Sequence, residues 1–219
     1  MVFNAASFLS VKSSVRIARN IGATLAALVT LQGCAIAQES GSVEEATLPP
    51  CEDPLPAGWL SRPIMSPAPD DRQAIVDLIS SYNWALDNKD PTAFRELFTQ
   101  NVTYEVCKAE GREQIVKKTD RDAVVVHVQS LMSFLIRRTL RTRHFVSNTI
   151  IDATPGQPVR GKSSMLVLLH NGYSLEPEFD YSATLKAEFT KGTDNVWRFS
   201  KLTLLTDSNA ISPDGVRAR

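Results

Sequence analysis

The sequence predicts an α+β domain, helices first and a long sheet after. Apolar residues recur at helical spacing only between Asp70 and Thr139. From His144 onward, runs rich in Val, Leu, Thr and Phe are separated by Pro-Gly and Asn-Gly turns. A chain of 219 residues has room for one sizeable domain. Helices and strands segregated in this way build an α+β arrangement, whereas alternation would build a parallel α/β sheet.

Lys12, Arg16 and Arg19 precede the apolar stretch Ile21–Leu31, and Gly33-Cys34-Ala35-Ile36-Ala37 follows. That is the three-part layout of a secretory signal, expected over residues 1–37. Its apolar centre is far shorter than the roughly 20 residues of a resident membrane helix, so no stable span is expected. Ala35-Ile36-Ala37 before Gln38 fits a signal peptidase site and soluble export to a periplasm or the medium. The alternative is a lipoprotein, because Leu31-Gln32-Gly33-Cys34 resembles a lipobox with Cys34 as the lipid anchor, although Gln32 fits that motif poorly.

Cleavage after Ala37 would leave Cys51 and Cys107 in an oxidising compartment. They either pair or remain two free thiols; a bond would close a loop worth about 3–4 kcal/mol in the chain-entropy model. Residues 38–69 carry Pro49, Pro50, Pro54, Pro56, Pro63, Pro67 and Pro69, which forbid regular helix and predict an extended linker or wrapping arm. Trp59, Leu60, Ile64 and Met65 give that arm apolar handles.

The domain is expected over 70–208. Asp70 and Asp71 can cap a first helix whose Ile75, Leu78, Ile79, Tyr82 and Leu86 share one face. Asn88-Lys89-Asp90-Pro91 breaks it, and Thr92–Phe98 forms a short second helix with Phe94, Leu97 and Phe98 inward. Val102–Val106 reads as a strand. Asp120 or Asp122 opens a third helix with Val124, Val125, Val128, Leu131, Met132, Leu135 and Ile136 toward the core, ending before Thr139. Four long strands follow, His144–Ala153, Val159–His170, Asp180–Lys191 and Val196–Asp207, and 209–219 is a tail. A long bent antiparallel sheet closing over three helices makes a cone with one open pocket, a natural place for a small apolar molecule.

Composition removes several classes. Lys and Arg number 24 and so do Asp and Glu, leaving no global basic field to attract nucleic acid. The basic run Arg137, Arg138, Arg141 and Arg143 follows a helix C-terminus, where cations suit the dipole, and reads as a solvated charged end. The chain contains no Cys-x-x-Cys pair, and its histidines are His127, His144 and His170, without zinc-ligand spacing. No metal or organic cofactor is expected. His127 reads as a satisfied helix histidine and His170 as a hairpin-end residue.

Several strings carry a family resemblance. Asp71-Arg72-Gln73-Ala74-Ile75 with Leu78, Tyr82, Asp87 and Asp90 resembles the opening helix of the SnoaL-like branch of the NTF2-like superfamily. Thr139-Leu140-Arg141-Thr142-Arg143-His144-Phe145 resembles the stretch around a catalytic histidine in scytalone dehydratases, and Asp87-Asn88-Lys89-Asp90 the stretch around their catalytic aspartate. Val196-Trp197-Arg198-Phe199 is similar to an aromatic strand near the end of that fold. The resemblance spans Asp70 to Asp207 and implies an NTF2-like cone, a curved antiparallel sheet wrapped around three helices.

The resemblance also implies chemistry. Asp87 lies about 140° round the first helix from Tyr82 at roughly 100° per residue, off the main apolar stripe, where it can face the pocket mouth. A carboxylate that accepts the N–H of the His144 ring fixes its tautomer and frees the other nitrogen to move a proton. Tyr104 matches a tyrosine that holds a substrate carbonyl or a water. Plainer readings stand beside these: Asp87 as a turn cap, His144 as a hydrogen-bonded strand residue, Tyr104 as packing with a wet hydroxyl. Two departures exist: Leu86 stands where the dehydratases carry a tyrosine, and Phe179 or Tyr181 where a second histidine would be. The expectation is an exported, cofactor-independent lyase, dehydratase or isomerase acting on a small apolar, aromatic or polyketide-like molecule, and a homodimer or homotrimer. The alternative is a non-catalytic binding or scaffold module of the same fold. A third, the small subunit of a ring-hydroxylating dioxygenase, sits poorly with an export signal.

Overall fold

A computed structural model describes Cys51, Leu55 and residues 63–108, 113–173 and 176–207. The expected signal at 1–37, nearly all of the arm and the tail at 209–219 lie outside the described residues. The described elements are α1 (Pro69–Asn88), α2 (Pro91–Glu96), β1 (Phe98–Lys108), β2 (Glu113–Lys118), α3 (Arg121–Arg137), β3 (Leu140–Asp152), β4 (Val159–Asn171), β5 (Glu178–Lys191) and β6 (Trp197–Thr206).

Helix α1 begins earlier than an Asp70 or Asp71 cap would place it, with Pro69 in the first turn, where its missing N–H costs nothing. Neither Asp70 nor Asp71 caps it: the N-cap position is Ala68, which makes no side-chain cap bond. Both carboxylates instead lie in the first turn, where the helix dipole favours them. Asp71 also accepts hydrogen bonds from Lys191 Nζ at 2.7 Å and Trp197 Nε1 at 2.9 Å, tying the helix start to the sheet. Lys89 ends α1 in the left-handed region at φ 57°, its N–H returning to Ala85 and Leu86. Asp90 then caps α2 through Thr92 N–H and Ala93 N–H, and Asp120 caps α3 through Ala123 N–H. On α3, Ile136 departs from expectation: it is 60% exposed, turned away from the side on which Met132 and Leu135 are buried.

The sheet is curved and unclosed, with strand order β2-β1-β6-β5-β4-β3. The β1–β6 pair is parallel and every other pair antiparallel. Strand β2 lies outside the strands expected from the sequence; its apolar residues are the adjacent pair Ile115 and Val116, flanked by Glu113, Gln114, Lys117 and Lys118, too short a pattern to announce itself. Strand β3 starts at Leu140 rather than His144, so His144 sits inside it.

The core lies between the concave face and the helices. Tyr82, Phe94, Phe98, Phe189 and Phe199 form its aromatic centre, with ring centroids 4.9–6.3 Å apart in tilted and edge-on pairs. Such pairs add about 0.5–1.5 kcal/mol each beyond their buried area. At Gly161 a Cβ would lie 2.9 Å from the Phe189 ring and 3.3 Å from the Ile150 carbonyl, so this crossing of β4 over the aromatic layer requires glycine.

Cys51 and Cys107 form a disulfide, with their Cα atoms 6.2 Å apart, which decides between the two states left open by the sequence. Cys107 pairs across the sheet with Leu205, on the face opposite the alternate residues Val106 and Leu204 that line the cavity described below. The bond therefore fixes Cys51 against the face of β1 turned away from the cavity. Met65 docks at the other edge through its backbone: its N–H donates to Asp152 and its carbonyl accepts from Ala153 N–H at 2.7 Å. Its side chain is 49% exposed, so Met65 is not the apolar handle expected of it. Ile64 is half-buried, and Trp59 and Leu60 lie outside the described residues.

Candidate active site

The end of α1 and the first half of β3 bring the expected pair together. The Asp87 carboxylate accepts from three groups of β3: the His144 ring through Nδ1 at 2.6 Å, the His144 backbone N–H at 3.1 Å and the Thr142 hydroxyl at 2.9 Å. Both side chains are almost wholly buried. Residues 142 and 144 share one face of the strand, which is why a single carboxylate reaches both.

Burial alone would raise the Asp87 carboxyl; the bond from the His144 ring, its charge, its backbone N–H and the Thr142 hydroxyl outweigh that and hold the group below its ordinary range. With Nδ1 engaged as donor, Nε2 is the ring nitrogen left for chemistry. Asp87 does not face a pocket mouth as expected. It sits behind the imidazole, and His144 is the member that lines a cavity.

That cavity has a volume of about 120 Å³. An engineered void of roughly 150 Å³ takes one benzene ring, which sets the scale. Its walls are mostly apolar, with Leu86, Val128, Leu131, Met132, Leu135 and Val167 among them. The polar groups are few and converge: His144 and Thr142 from β3, Tyr82 from α1, Tyr104 from β1, His127 from α3, Thr206 from β6, and Asp180 and Tyr181 from β5.

Tyr104 lines the same cavity as His144. Its hydroxyl lies 3.5 Å from that of Tyr82. Burial pushes the phenols of Tyr82, Tyr104 and Tyr181 up, so all three keep their protons and remain donors.

Sequence reasoning missed four contributors. From sequence Tyr82 shows only as core, since its place on the apolar stripe hides a hydroxyl at the cavity wall. His127, from sequence a satisfied helix histidine, has a partner and also lines the cavity, its ring 6.5 Å from that of Tyr104. Thr142 carried a usable signal, two residues before His144 on a strand. Asp180 carried none, because a two-residue period sets it on the polar face of β5 with Ser182, Thr184, Lys186 and Glu188. Of the two candidates for the place of a second histidine, Tyr181 lines the cavity and Phe179 is 55% exposed. Among the described residues no group of three or more His, Cys, Asp or Glu could hold a metal ion, and no helix is long and apolar enough to cross a membrane.

Comparison with known proteins gives a family match and a set of shared folds. The model of the SnoaL-like domain matches residues 68–203, more than half of the chain. Among solved structures, the chain is similar to a Novosphingobium aromaticivorans protein provisionally named the beta subunit of an aromatic-ring-hydroxylating dioxygenase. The identity is 18%, the TM-score 0.55, and the match covers 66% of this chain and 94% of that one. ActVI-ORFA from Streptomyces coelicolor is similar at 15% identity and TM-score 0.54, over 64% of this chain and 98% of that one. A second Novosphingobium aromaticivorans protein, provisionally named a scytalone dehydratase, is similar at 22% identity and TM-score 0.51, over 68% and 96%. At these identities the likeness is one of fold. No curated protein matches the chain.

Proposed function

Since the chain belongs to the SnoaL-like domain family, we propose that it is a cofactor-independent lyase or isomerase acting on a small apolar, aromatic or polyketide-like molecule. The observation that carries this reading is the 2.6 Å contact between Asp87 and a His144 ring that lines the cavity. In a dehydration, Nε2 of His144 takes a proton from carbon beside a substrate carbonyl while a Tyr104 O–H polarises that carbonyl. The new C=C bond expels a β-hydroxyl, which leaves as water with the proton that the imidazolium returns. In an isomerisation the same proton goes back to a different carbon. Asp87 stabilises the imidazolium in both cases.

Export belongs to the same proposal. A disulfide between Cys51 and Cys107 is suited to an oxidising compartment, and the layout of residues 12–37 suits a secretory signal. Self-association is proposed with it, on the exposed Phe145, Leu166 and Phe179 of β3, β4 and β5.

The test is turnover. Purified protein is incubated with a panel of hydroxylated aromatic ketones, and loss of water or a shifted double bond is followed by mass spectrometry and NMR. The wild type is expected to convert at least one, and His144→Ala to lose about 10²- to 10⁴-fold of that rate with its fold intact. Saturable binding without conversion by the wild type would favour a binding module instead.

A further inference from the structure

We propose that Tyr82 is a further catalytic residue: its hydroxyl and that of Tyr104 together clamp the carbonyl oxygen of a ketone or aldehyde substrate. The inference deepens the function proposed above and rests on it.

The two hydroxyls satisfy each other badly. Tyr82 comes from α1 and Tyr104 from β1, both line the cavity, and both are almost wholly buried. Their oxygens are 3.5 Å apart, against about 2.7–2.8 Å in a well-formed O–H···O bond. A buried hydroxyl without a good partner destabilises the fold. The core does not require one at residue 82. The Tyr82 ring packs on Phe94, Phe98 and Phe199, with centroids 5.6, 6.3 and 5.9 Å away, and phenylalanine would fill the same space. A polar atom kept where packing alone would choose an apolar ring marks a functional position.

The spacing suits a third oxygen. An acceptor about 2.8 Å from each hydroxyl closes a triangle whose long side is the observed 3.5 Å. A carbonyl oxygen has two lone pairs and can take both bonds at once. Burial keeps both phenols protonated, so each meets that oxygen as a donor. In the proton abstraction, the C–H bond beside the carbonyl breaks and its proton passes to Nε2 of His144. The electron pair left behind forms a C=C bond while the carbonyl π pair moves onto oxygen. Negative charge thus grows between the two phenols as positive charge grows on the ring that Asp87 holds. Both phenol bonds strengthen in the transition state, where they raise the rate rather than only hold the substrate.

The probe is acetophenone carrying ¹³C at the carbonyl, a one-ring ketone, bound to the full chain and read by infrared difference spectroscopy. Its C=O stretch is expected to move to higher frequency in Tyr82→Phe and in Tyr104→Phe, and further in the double variant. A stretch that is the same in wild type and Tyr82→Phe overturns the proposal. Should that variant not fold, the wild type decides: acetophenone should shift the ¹³Cζ resonances of both Tyr82 and Tyr104, and an unmoved Tyr82 overturns the clamp. With any substrate the wild type converts, Tyr82→Phe is expected to lower kcat about 10²- to 10³-fold with KM little changed. Turnover that needs His144 and not Tyr82 overturns the clamp and leaves the proposed function standing. A Tyr82-dependent stretch without turnover of any substrate supports the clamp and counts only against the Asp87–His144 chemistry. If acetophenone does not bind, the ligand-site reading and this proposal fall together.

Discussion

Asp87 and His144, 57 positions apart in sequence, meet at 2.6 Å between carboxylate oxygen and ring Nδ1. The contact runs against the local preference of its helix. Asp87 stands at the C-terminal end of α1, where the dipole disfavours negative charge, and no basic residue lies in that last turn. The three donors of β3 supply the compensation, which makes Asp87 the joint between helix and sheet as well as the partner of the imidazole.

Removing one donor measures that joint. Thr142→Val keeps shape and strand propensity but leaves the buried carboxylate one hydrogen bond short. The expected loss is about 1–3 kcal/mol, read from urea unfolding. A loss near zero would mean that the Thr142 hydroxyl does not support Asp87.

The pH dependence of stability follows from the lowered Asp87 carboxyl. An acid held below its unfolded value of about 3.9 contributes stability that is fully present above that value and is lost as pH falls through the folded one. Asp71, held low by bonds from Lys191 and Trp197, and Asp194, brought down to about 2 by Arg198, lose stability in the same acid range. Only a difference curve isolates Asp87. Asp87→Asn should be less stable than wild type at neutral pH, and the gap should close as pH falls below about 4. A gap independent of pH would contradict the sign.

Reduction tests the fastening of the segment around Cys51. The disulfide joins residues 56 apart, so its loss should cost about 3–4 kcal/mol in the chain-entropy model. Dithiothreitol should lower the unfolding midpoint of the wild type and leave Cys51→Ser, already lowered, where it is. Equal sensitivity of both proteins would show that the thiols are not paired in solution.

How much of this was legible beforehand depends on the kind of signal. The helical stripe of Ile75, Leu78, Ile79 and Tyr82 and the period-two strands of the C-terminal half are averages over many residues, and they placed helices and sheet well. Asp87 and His144 were found because the strings around them resemble a known pair; nothing in periodicity relates residues 57 apart. Asp180 was missed because a bulge is a local change of register, and a sequence read with a strict two-residue period puts that carboxylate outside. Strand β2 was missed because Ile115 and Val116 are too few to make a pattern. The helix start shifted because Pro69 is itself a good first-turn residue, so the Asp70 and Asp71 carboxylates serve the dipole and the sheet instead of a cap.

The most direct measurement of the central claim is the ring protonation of His144, read by long-range ¹H–¹⁵N NMR at about pH 9, above the ordinary histidine range. Proton on Nδ1 with a bare Nε2, and loss of that preference in Asp87→Asn, is the expected result. A wild-type imidazole carrying its proton on Nε2 would contradict the account, because the nitrogen facing the cavity could then take no proton from a substrate.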